Sequence, residues 1–440
     1  MYKTPNVYVE QNSILPEIPT AEIATAVPVF IGYTEKTRLT NKHQSDVIRI
    51  NSLLEYENIF GTQHLQAAIK VSVDSDEEIL ETHFFELEYI LYYCIKLFFD
   101  NAGKYCYIVS VGSYEGSITL NAIKKGLDMV AQQDNITLIA SPDATRLSHD
   151  DYGSYCQQVL AQCAKQKDRF GVFDVFEPIN KEGDAHGFRR AMGASNLKYG
   201  AAYYPNLITS YTNNDNNIFV GDISLSDLKF QKPALYNKVK NTLTDRTIVL
   251  PPSAAVMGAY IHNDNENGVW NTPANIELIS VIGPHVDITE REQENLNIDI
   301  VSGKSINVIK SFPRRGTLIW GARTLAGNDN ECRYISVRRL FNFIEESIQL
   351  ATNFAVFEAN DLMTWLKLST IAESFLRDIW EQGALVGDAE QQAFFVNVGL
   401  GKTMTQDDVN NGRIIVDIGV AAIRPAEFIA LRISHQQEKI

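Results

Sequence analysis

The stretch Arg333–Asp361, RYISVRRLFNFIEESIQLATNFAVFEAND, decides the fold of the second half of the chain. Its apolar residues recur at steps of three and four, the spacing that places one apolar face on a helix. The residues of this face are Val337, Phe341, Ile344, Ile348, Ala351 and Ala355. The pattern predicts a helix over 337–357 whose apolar face lies in a core.

A second helix is predicted directly after Asn360 and Asp361, because their side chains can accept hydrogen bonds from the free amides of a helix start. We expect Gly383 to end it. The residues expected to face inward are Leu362, Trp365, Phe375, Leu376 and Ile379. Short apolar runs at 316–321 and 414–420 predict strands beside these helices, so this part of the chain has the pattern of an α+β module.

The last segment has two strand-like runs with no evident partner in the same chain. Asn411-Gly412 marks a turn before the first run, and Arg424-Pro425 separates it from the second. An unpaired apolar strand is a reactive sheet edge, so we expect pairing with another subunit. The residues of these C-terminal arm strands are Ile414, Ile415, Val416, Phe428, Ile429 and Leu431.

The N-terminal residues also favour an extended conformation. Pro5, Pro16 and Pro19 surround the apolar run Val7-Tyr8-Val9, a composition unfavourable to a helix. Two hypotheses fit this run equally well on residue pattern alone: an arm that pairs with a neighbouring subunit, or a first strand within the chain's own sheet.

Residues 29–204 alternate between apolar strands and amphipathic helices, the pattern of βαβ units with a buried, mostly parallel sheet. The predicted strands begin at Val29, Tyr105, Ile136, Phe170 and Ala201. The predicted helices cover 53–60, 84–99, 118–132 and 152–166, and a further helix should begin near Pro251-Pro252. The fold class is therefore α/β, followed by the α+β module.

Composition and charge exclude several classes of protein. The chain has 440 residues, enough for two or three domains, and 39 basic against 54 acidic residues give a net charge of −15. An acidic surface argues against a nonspecific nucleic-acid binder. Two basic pairs, Arg314-Arg315 and Arg338-Arg339, are either ordinary solvated charge, which we favour, or contacts to an acidic partner surface.

The cysteines and the apolar runs predict a soluble protein made in the cytoplasm. Five cysteines without a C-x-x-C pair fit buried free thiols better than disulfides. The N-terminus has no secretion-signal pattern. The longest apolar run, 89–99, is interrupted by Lys96 and is too short to span a bilayer, so we expect no membrane insertion.

Motifs for catalysis or ligand binding are weak or incomplete. Ser141-Pro142-Asp143 and Asp174 follow strands where α/β sheets often bind ligands, but no glycine-rich loop accompanies them. The loop 263–268 resembles a calcium loop but has Ala274 where a bidentate acid is needed. The GK pairs at Lys304 and Lys402 lack the first glycine of a phosphate loop. We predict no catalytic residue, no metal and no cofactor.

Several longer strings resemble the contractile tail sheath proteins of phages, tailocins and contractile injection systems. The similarity is dense over roughly the last 175 residues, thin between 114 and 250, and extends to both ends. The strings that carry it are TPNVYVEQN at 4–12, NGVWNTPAN at 267–275, INVIKSFPRRGTLIWGARTL at 306–325, RYISVRRLFNFIEESI at 333–348, FEAND at 357–361, QGALVG at 382–387, TMTQDDVNNGR at 403–413 and IGVAAIRPAEFIALRI at 418–433.

The resemblance implies a structural subunit, not an enzyme. Such subunits stack as hexameric rings around an inner tube protein, with baseplate and terminal cap proteins at the ends, and contract to drive the tube through an envelope. It also favours the hypothesis that both terminal arms pair with neighbouring subunits. The expected organisation is an N-terminal arm over 1–26, an outer α/β module over 27–300 inserted in a discontinuous inner α+β module over 301–411, and a C-terminal strand arm over 412–440.

Two further hypotheses stay open from the sequence. One is an α/β enzyme that binds a nucleotide or another small molecule at a site without a recognisable motif. The other concerns the particle: the resemblance fits a phage tail, a released injector and a membrane-anchored system equally well.

Overall fold

The chain forms two compact units. The first, which we call the α/β unit, comprises Thr25–Asn342 and residues 423–427, and the second, the small unit, comprises residues 23–24 and Phe343–Ala422. The computed structural model describes residues 23–37, 47–64, 69–84, 87–176, 181–212, 215–243 and 247–427. The arm residues Val7, Tyr8, Val9, Phe428, Ile429 and Leu431 lie outside this described part.

The strands, in chain order, are β1 (Pro28–Thr34), β2 (Val47–Ile50), β3 (Ile69–Val73), β4 (Ile79–Phe84), β5 (Cys106–Ser113), β6 (Leu138–Ala140), β7 (Phe170–Asp174), β8 (Gly200–Tyr204), β9 (Leu207–Thr212), β10 (Ile218–Val220), β11 (Ile223–Ser224), β12 (Thr247–Leu250), β13 (Val281–Pro284), β14 (Asn307–Phe312), β15 (Gly316–Trp320), β16 (Phe394–Val398) and β17 (Val416–Val420). The helices are α1 (Leu53–Phe60), α2 (Leu91–Asp100), α3 (Leu120–Val130), α4 (His149–Gln166), α5 (Lys181–Ala191), α6 (Leu225–Gln231), α7 (Pro233–Thr242), α8 (Ser253–Asn267), α9 (Glu290–Asn297), α10 (Ile335–Thr352), α11 (Leu362–Glu381), α12 (Glu390–Ala393) and α13 (Gln406–Asn410).

An eight-stranded sheet in the order β15-β14-β8-β7-β6-β1-β5-β2 organises the α/β unit. The six central strands are parallel, and β15 and β2 pair antiparallel at the two edges. All seven residues of β1 are buried, because apolar clusters cover both faces of the sheet. Phe30 packs in one cluster, and Val29 and Ile31 pack in the other. The predicted α/β class with a mostly parallel sheet is confirmed.

Two smaller sheets in the α/β unit were not predicted from the sequence. One has the order β11-β10-β3-β4 and encloses a separate apolar cluster with α6 and α7. The other is antiparallel, in the order β12-β9-β13. The helix expected over 84–99 begins only at Leu91, because Ile79–Phe84 forms β4 and pairs with β3. The apolar run before Leu91 therefore belongs partly to a strand.

The boundary between the units differs from the expected one at 300/301. β14 pairs parallel with β8, with Asn307 opposite Tyr203, and β15 continues the same sheet. Val308 and Ile309 are both buried, since successive residues of an internal strand face opposite apolar layers. Residues 301–342 therefore belong to the α/β unit, and the boundary falls within α10.

The small unit contains the second half of α10, followed by α11, α12, β16, α13 and β17. The predicted helices α10 and α11 are present, and the Asp361 carboxylate caps α11 by accepting hydrogen bonds from the amides of Met363 and Thr364, both at 3.0 Å. Gly383 follows α11 with φ +87°, as expected for a helix end. The antiparallel pair β16 and β17 has Phe394 opposite Val420 and packs on α11.

Two face assignments need correction. Phe341 of α10 is only partly buried, whereas its neighbour Leu340 is buried. Leu362, expected to face inward, is exposed at the first turn of α11, while Leu376 and Ile379 are buried as predicted. Wide apolar helix faces explain both differences, because spacing alone does not tell which of several adjacent apolar residues points at the core.

Candidate assembly surfaces

Within the described residues, the sheet of the small unit has two strands, and just beyond β17 the Val386 amide donates to the Ala421 carbonyl at 2.7 Å. The expectation that the run beginning at Arg413 has no partner in its own chain is wrong, because β17 pairs with β16 from Val416↔Val398 to Val420↔Phe394. In an antiparallel pair each strand still directs half of its backbone groups away from its partner. Ile414 and Ile415 precede this strand, and the Ile415 carbonyl accepts a hydrogen bond from Thr403 Oγ1 at 2.7 Å.

The outward-facing groups of β17 can be assigned. The Ala421 amide donates to the Ala393 carbonyl at 2.8 Å. Alternation along an antiparallel ladder then directs the amides of Asp417 and Gly419 toward β16, and that of Ile418 toward the other edge. Among the described residues, no strand pairs with this outward edge at Ile418.

An exposed aromatic ring covers one face of this small sheet. Phe395 is 51 % exposed and lies opposite Gly419 in the ladder. A Cβ atom at Gly419 would overlap Cε1 of the Phe395 ring. Glycine thus lets the ring lie flat over the neighbouring strand, and the ring's outer face remains an apolar contact surface.

The connection between α10 and α11 exposes further large apolar side chains. Phe357 is fully exposed and has φ +73°, a left-handed conformation that is rare for an aromatic residue. Val356, Leu362 and Leu366 are each more than half exposed. Exposed apolar groups of this size are typical of contact surfaces, and Phe357 is the first residue of FEAND, one of the strings that carry the family resemblance.

The two predicted basic pairs have different environments. Arg314 and Arg315 are exposed in the β14–β15 turn, where Arg315 Nη2 donates to Asn275 Oδ1 at 2.7 Å. Arg338 and Arg339 are buried inside the α/β unit, so the preferred interpretation of that pair as solvated charge is wrong. The guanidinium groups of Arg338 and Arg339 hydrogen-bond to Asn342 and Asp264 of the same chain. Of the two pairs, only Arg314-Arg315 presents cationic surface.

Arg339 forms a buried ion pair near the N-terminal segment. Its guanidinium donates to both oxygens of Asp264 on α8, at 3.0 and 2.5 Å, and to the Thr25 carbonyl at 3.0 Å. The Thr25 hydroxyl donates to the same carboxylate at 2.6 Å. The ring of Tyr260 lies 4.9 Å from the guanidinium. We call Arg339, Asp264 and Thr25 the N-terminal clamp.

A second buried arginine holds the chain just before residue 428. Arg323 Nε and Nη2 donate to the two oxygens of Glu427 at 2.8 and 2.5 Å. Asn297 Nδ2 and the Tyr334 hydroxyl donate to the same carboxylate at 2.9 and 3.2 Å. Burial opposes ionisation of Glu427, but these hydrogen bonds outweigh it and lower its pKa. We call Arg323, Glu427, Asn297 and Tyr334 the C-terminal clamp.

The strand-end aspartates considered as ligand sites cap helices instead. Asp143 accepts hydrogen bonds from the amides of Tyr33, Ile90 and Leu91, at the start of α2. Asp174 accepts from the amide and hydroxyl of Ser253, the first residue of α8, both at 2.7 Å. Burial raises the pKa of Asp143 to about 6 and that of Asp174 to about 7. Amides and a hydroxyl of the same chain therefore already hydrogen-bond to both carboxylates.

Two kinds of feature are absent from the described residues. No group of three or more His, Cys, Asp or Glu side chains is arranged to hold a metal ion in this part of the chain. Among the helices of the same residues, none combines the length and apolarity needed to cross a lipid bilayer.

Comparison with known proteins places this architecture in a family. A family model described as the phage tail sheath C-terminal domain matches residues 328–436. A solved structure of the sheath complex of an extracellular contractile injection system, PVC, in its contracted state, is 30% identical. The match covers 99% of this chain and 98% of that chain with a TM-score of 0.68. This chain belongs to the contractile tail sheath protein family.

Other sheath proteins also match this chain, over different shares of its length. The helical sheath of the anti-feeding prophage (AFP) in its contracted state is 29% identical over 99% of this chain and all of that chain, with a TM-score of 0.68. The tail sheath proteins of Vibrio phage KVP40 and Enterobacteria phage T4 are 24% and 23% identical over 141 and 171 residues. These matches cover 32% and 38% of this sheath protein, and 21% and 24% of the two phage proteins.

The family assignment confirms the resemblance seen in the sequence. Sheath proteins are structural proteins, and the mixed α/β architecture of this sheath protein agrees with theirs. Sequence reasoning missed the two clamps. Arg323, Arg339 and Glu427 lie within the quoted strings, but Asp264 lies outside them, and none of the four has a local spacing that indicates an ion pair.

Proposed function

We propose that this sheath protein is the repeating subunit of a contractile sheath that stacks as hexameric rings around an inner tube protein. Its contraction drives the tube through a target envelope, with baseplate and terminal cap proteins at the ends. The subunit is made in the bacterial cytoplasm and becomes part of a phage tail or tail-like particle. The observation that carries the proposal is the end-to-end similarity to the contracted PVC sheath at 30% identity.

Strand exchange between subunits would give the sheath its connectivity. The available edge of β17 at Ile418 and the apolar runs at Val7-Tyr8-Val9 and Phe428-Ile429-Leu431 are the complementary parts. A strand from a neighbour, added to the small sheet, would satisfy the outward backbone groups and cover exposed rings such as Phe395. The small unit would then be the module that joins neighbouring subunits.

Contraction of this kind requires no cofactor or bound nucleotide. The extended lattice would be metastable, and each subunit would gain contact area on shortening. Arg314 and Arg315 remain candidates for tube or neighbour contacts because their charges are exposed. The interaction with a tube would then depend on ionic strength.

Electron microscopy of the purified chain tests the proposal. We expect long tubes in negative stain, whereas an α/β enzyme should purify as a small defined oligomer. Deleting residues 1–20 should leave the two units folded and abolish tube formation, and Val7→Pro should do the same with one lost donor. A truncated protein that aggregates with lost circular dichroism would show that the segment belongs to its own subunit's core.

A matched pair of proline variants tests the β17 edge. Ile418→Pro removes an outward-facing amide and should block tubes with little change in the unfolding of the small unit. Asp417→Pro removes an amide that faces β16 and should destabilise the small unit itself. Tubes of normal yield from Ile418→Pro would refute strand addition at this edge. Ile415, just before β17, falls on the same side of the alternation as Asp417, so Ile415→Pro should behave like Asp417→Pro.

A further inference from the structure

We infer that the N-terminal clamp and the C-terminal clamp are mechanical anchors. They hold the roots of the two terminal segments, Thr25 and Glu427, on the α/β unit when the sheath is under tension. The inference rests on the proposed function, because it takes the segments beyond 25 and 427 to be tied to neighbouring subunits. It assigns a role to four charged side chains, Arg339, Asp264, Arg323 and Glu427, that strand exchange alone does not explain.

The N-terminal clamp fixes the backbone at the point where the N-terminal segment joins the α/β unit. Arg339 and Asp264 have side-chain exposures of only 3% and 5%. Thr25 is bound through its carbonyl by Arg339 and through its hydroxyl by Asp264. Thr137 Oγ1 donates to the same carbonyl at 2.8 Å and accepts from the Val27 amide at 2.8 Å. A pull on the preceding residues therefore meets several side-chain bonds before it reaches β1.

The C-terminal clamp does the same at the other end of the described chain. Glu427 is held by donors from three places: Arg323 after β15, Asn297 at the end of α9, and Tyr334 just before α10. The Arg323 side chain is 3% exposed and its Nη1 also donates to the Gly327 carbonyl at 3.2 Å. Tension carried along the backbone from residues 428–440 would therefore act on a carboxylate that is already held by these donors.

Both clamps draw on the first turns of one helix. Tyr334 immediately precedes α10, and Arg339 lies in its second turn. The same helix continues at Phe343 into the small unit. The connections of the α/β unit at residues 25, 343 and 427 are therefore joined through α10 and its flanking loop, so that a force between them need not pass through the central sheet.

Ion pairs suit this task better than apolar contacts. A guanidinium and a carboxylate joined by two parallel hydrogen bonds hold one geometry, whereas apolar side chains can slide past each other at little cost. A buried ion pair often contributes little to net stability compared with apolar residues of similar volume. Two such pairs at the two chain roots therefore indicate a requirement for fixed attachment and not for stability alone.

Double variants separate attachment from stability. Arg339→Met with Asp264→Leu, and Arg323→Met with Glu427→Met, remove both charges of a clamp and leave no buried charge unpaired. We expect unfolding midpoints close to that of the parent. Amide hydrogen exchange at residues 23–26 and 423–427 should be at least tenfold faster in the corresponding variant. Exchange rates equal to the parent's would overturn the inference, whether or not tubes form.

The mechanical part is tested on assembled tubes. Tubes of the double variants should break under defined shear into fragments at least threefold shorter than parent tubes, measured by negative-stain microscopy. The matched control is Arg169→Met with Asp168→Leu, which removes another bidentate pair of the α/β unit, with atoms 2.7 and 2.8 Å apart. Among the described residues, this pair hydrogen-bonds to neither 23–26 nor 423–427. Clamp variants that withstand shear like the parent, or a control that breaks as readily, would refute the mechanical role.

The outcome for the parent chain distinguishes the two proposals. A parent that forms no tubes contradicts the proposed function, while the exchange measurement still decides whether the clamps fasten the chain roots. A parent that forms tubes, together with clamp variants of unchanged exchange and unchanged fragment length, leaves the sheath function intact and removes the clamps from it.

Discussion

The α/β unit and the small unit differ in how completely they bury their own apolar side chains. In the α/β unit, helices on both faces of the large sheet enclose two clusters whose members, such as Phe30 and Ile31, are fully buried. The small unit has less than a quarter of the residues but about half of the large apolar side chains exposed in the described part of the chain. Phe357 and Phe395 are examples.

This difference shows which unit buries its apolar side chains without a partner. Burial of apolar surface is the main stabilising contribution to folding, and the α/β unit obtains it within one chain. The small unit leaves apolar side chains and strand edges to be covered by something else. A monomeric protein rarely keeps such surface exposed, so the difference between the units supports assembly through the small unit.

The strongest way to test the comparison is to remove a core ring from the α/β unit. Phe98 on α2 is fully buried, with its ring 5.3 Å from that of Phe30. Phe98→Ala should lower the free energy of unfolding by about 3–5 kcal/mol, because a large cavity replaces the ring. Urea unfolding followed by circular dichroism measures this. A midpoint equal to the parent's would show that this core is not close-packed.

The pH dependence of stability sharpens the picture of a sealed interior. The folded-state pKa of Asp174, about 7, lies above the ordinary value of 3.8. The unfolded chain therefore binds fewer protons between these values, and stability falls as pH rises from about 4 to 7. Asp174→Asn removes the charge, while its Oδ1 can still accept from the Ser253 amide and its Nδ2 can donate to the Ser253 hydroxyl. Its stability relative to the parent should rise by about 1.4 kcal/mol per pH unit over this window, as urea titrations would measure.

The contrast is with Glu427, whose pKa is lowered. The stability that ionised Glu427 contributes is fully present above its ordinary pKa of 4.5 and is lost as pH falls through its lower folded-state pKa.

The prediction for Asp174 can fail in a defined way. If the difference in stability between the parent and the Asp174→Asn variant is flat from about pH 4 to 8, burial of an ionisable Asp174 is contradicted.

A smaller effect is expected from the cap of α11 in the small unit. Asp361→Ala removes the acceptor for the amides of Met363 and Thr364 and should cost about 1 kcal/mol. Asp361→Asn keeps an acceptor and serves as the control. Faster amide exchange at Met363 and Thr364 in the alanine variant alone is the expected readout. Equal exchange in both variants would mean that solvent replaces the cap without loss.

The smallest effect on the isolated chain is expected at Phe357. Because its side chain buries no surface within its own subunit, Phe357→Ala should change the free energy of unfolding by less than about 0.5 kcal/mol. The yield of tubes should nevertheless fall, measured by sedimentation and negative stain. The same substitution at Phe98 provides the reference. A Phe357→Ala variant that assembles normally would show that this exposed ring is not a subunit contact.

Local patterns allowed much of the fold to be predicted. Strands such as β1 and β7 are continuous apolar runs, and α11 has an acidic cap at its start, so both signals lie within a few neighbouring residues. The expected boundary at 300/301 differs from the boundary between the two units, because an apolar run such as β14 can either close a large sheet or begin a new module. The strands β10 and β11 have only three and two residues, too few for a clear period.

The assembly surfaces were predictable only in part. Arg339 and Asp264 are 75 residues apart, and Arg323 and Glu427 are 104 apart, so no window along the chain contains both members of a pair. A pair of adjacent arginines has the same appearance in sequence whether solvated or buried. The exposure of Phe357 could not be predicted from the sequence either, because an aromatic residue between two amphipathic helices is expected in a core.

All five cysteines are buried as free thiols, and burial raises the pKa of each. The thiolate is the form that reacts with oxidants and alkylating reagents, so none of these side chains is ready to cross-link adjacent copies or to react with a dye. A cysteine introduced at an exposed position, such as Phe230→Cys on α6, would therefore be the readily labelled thiol of the folded chain. Fluorophores placed there would let distances between neighbouring copies be followed while the particle shortens.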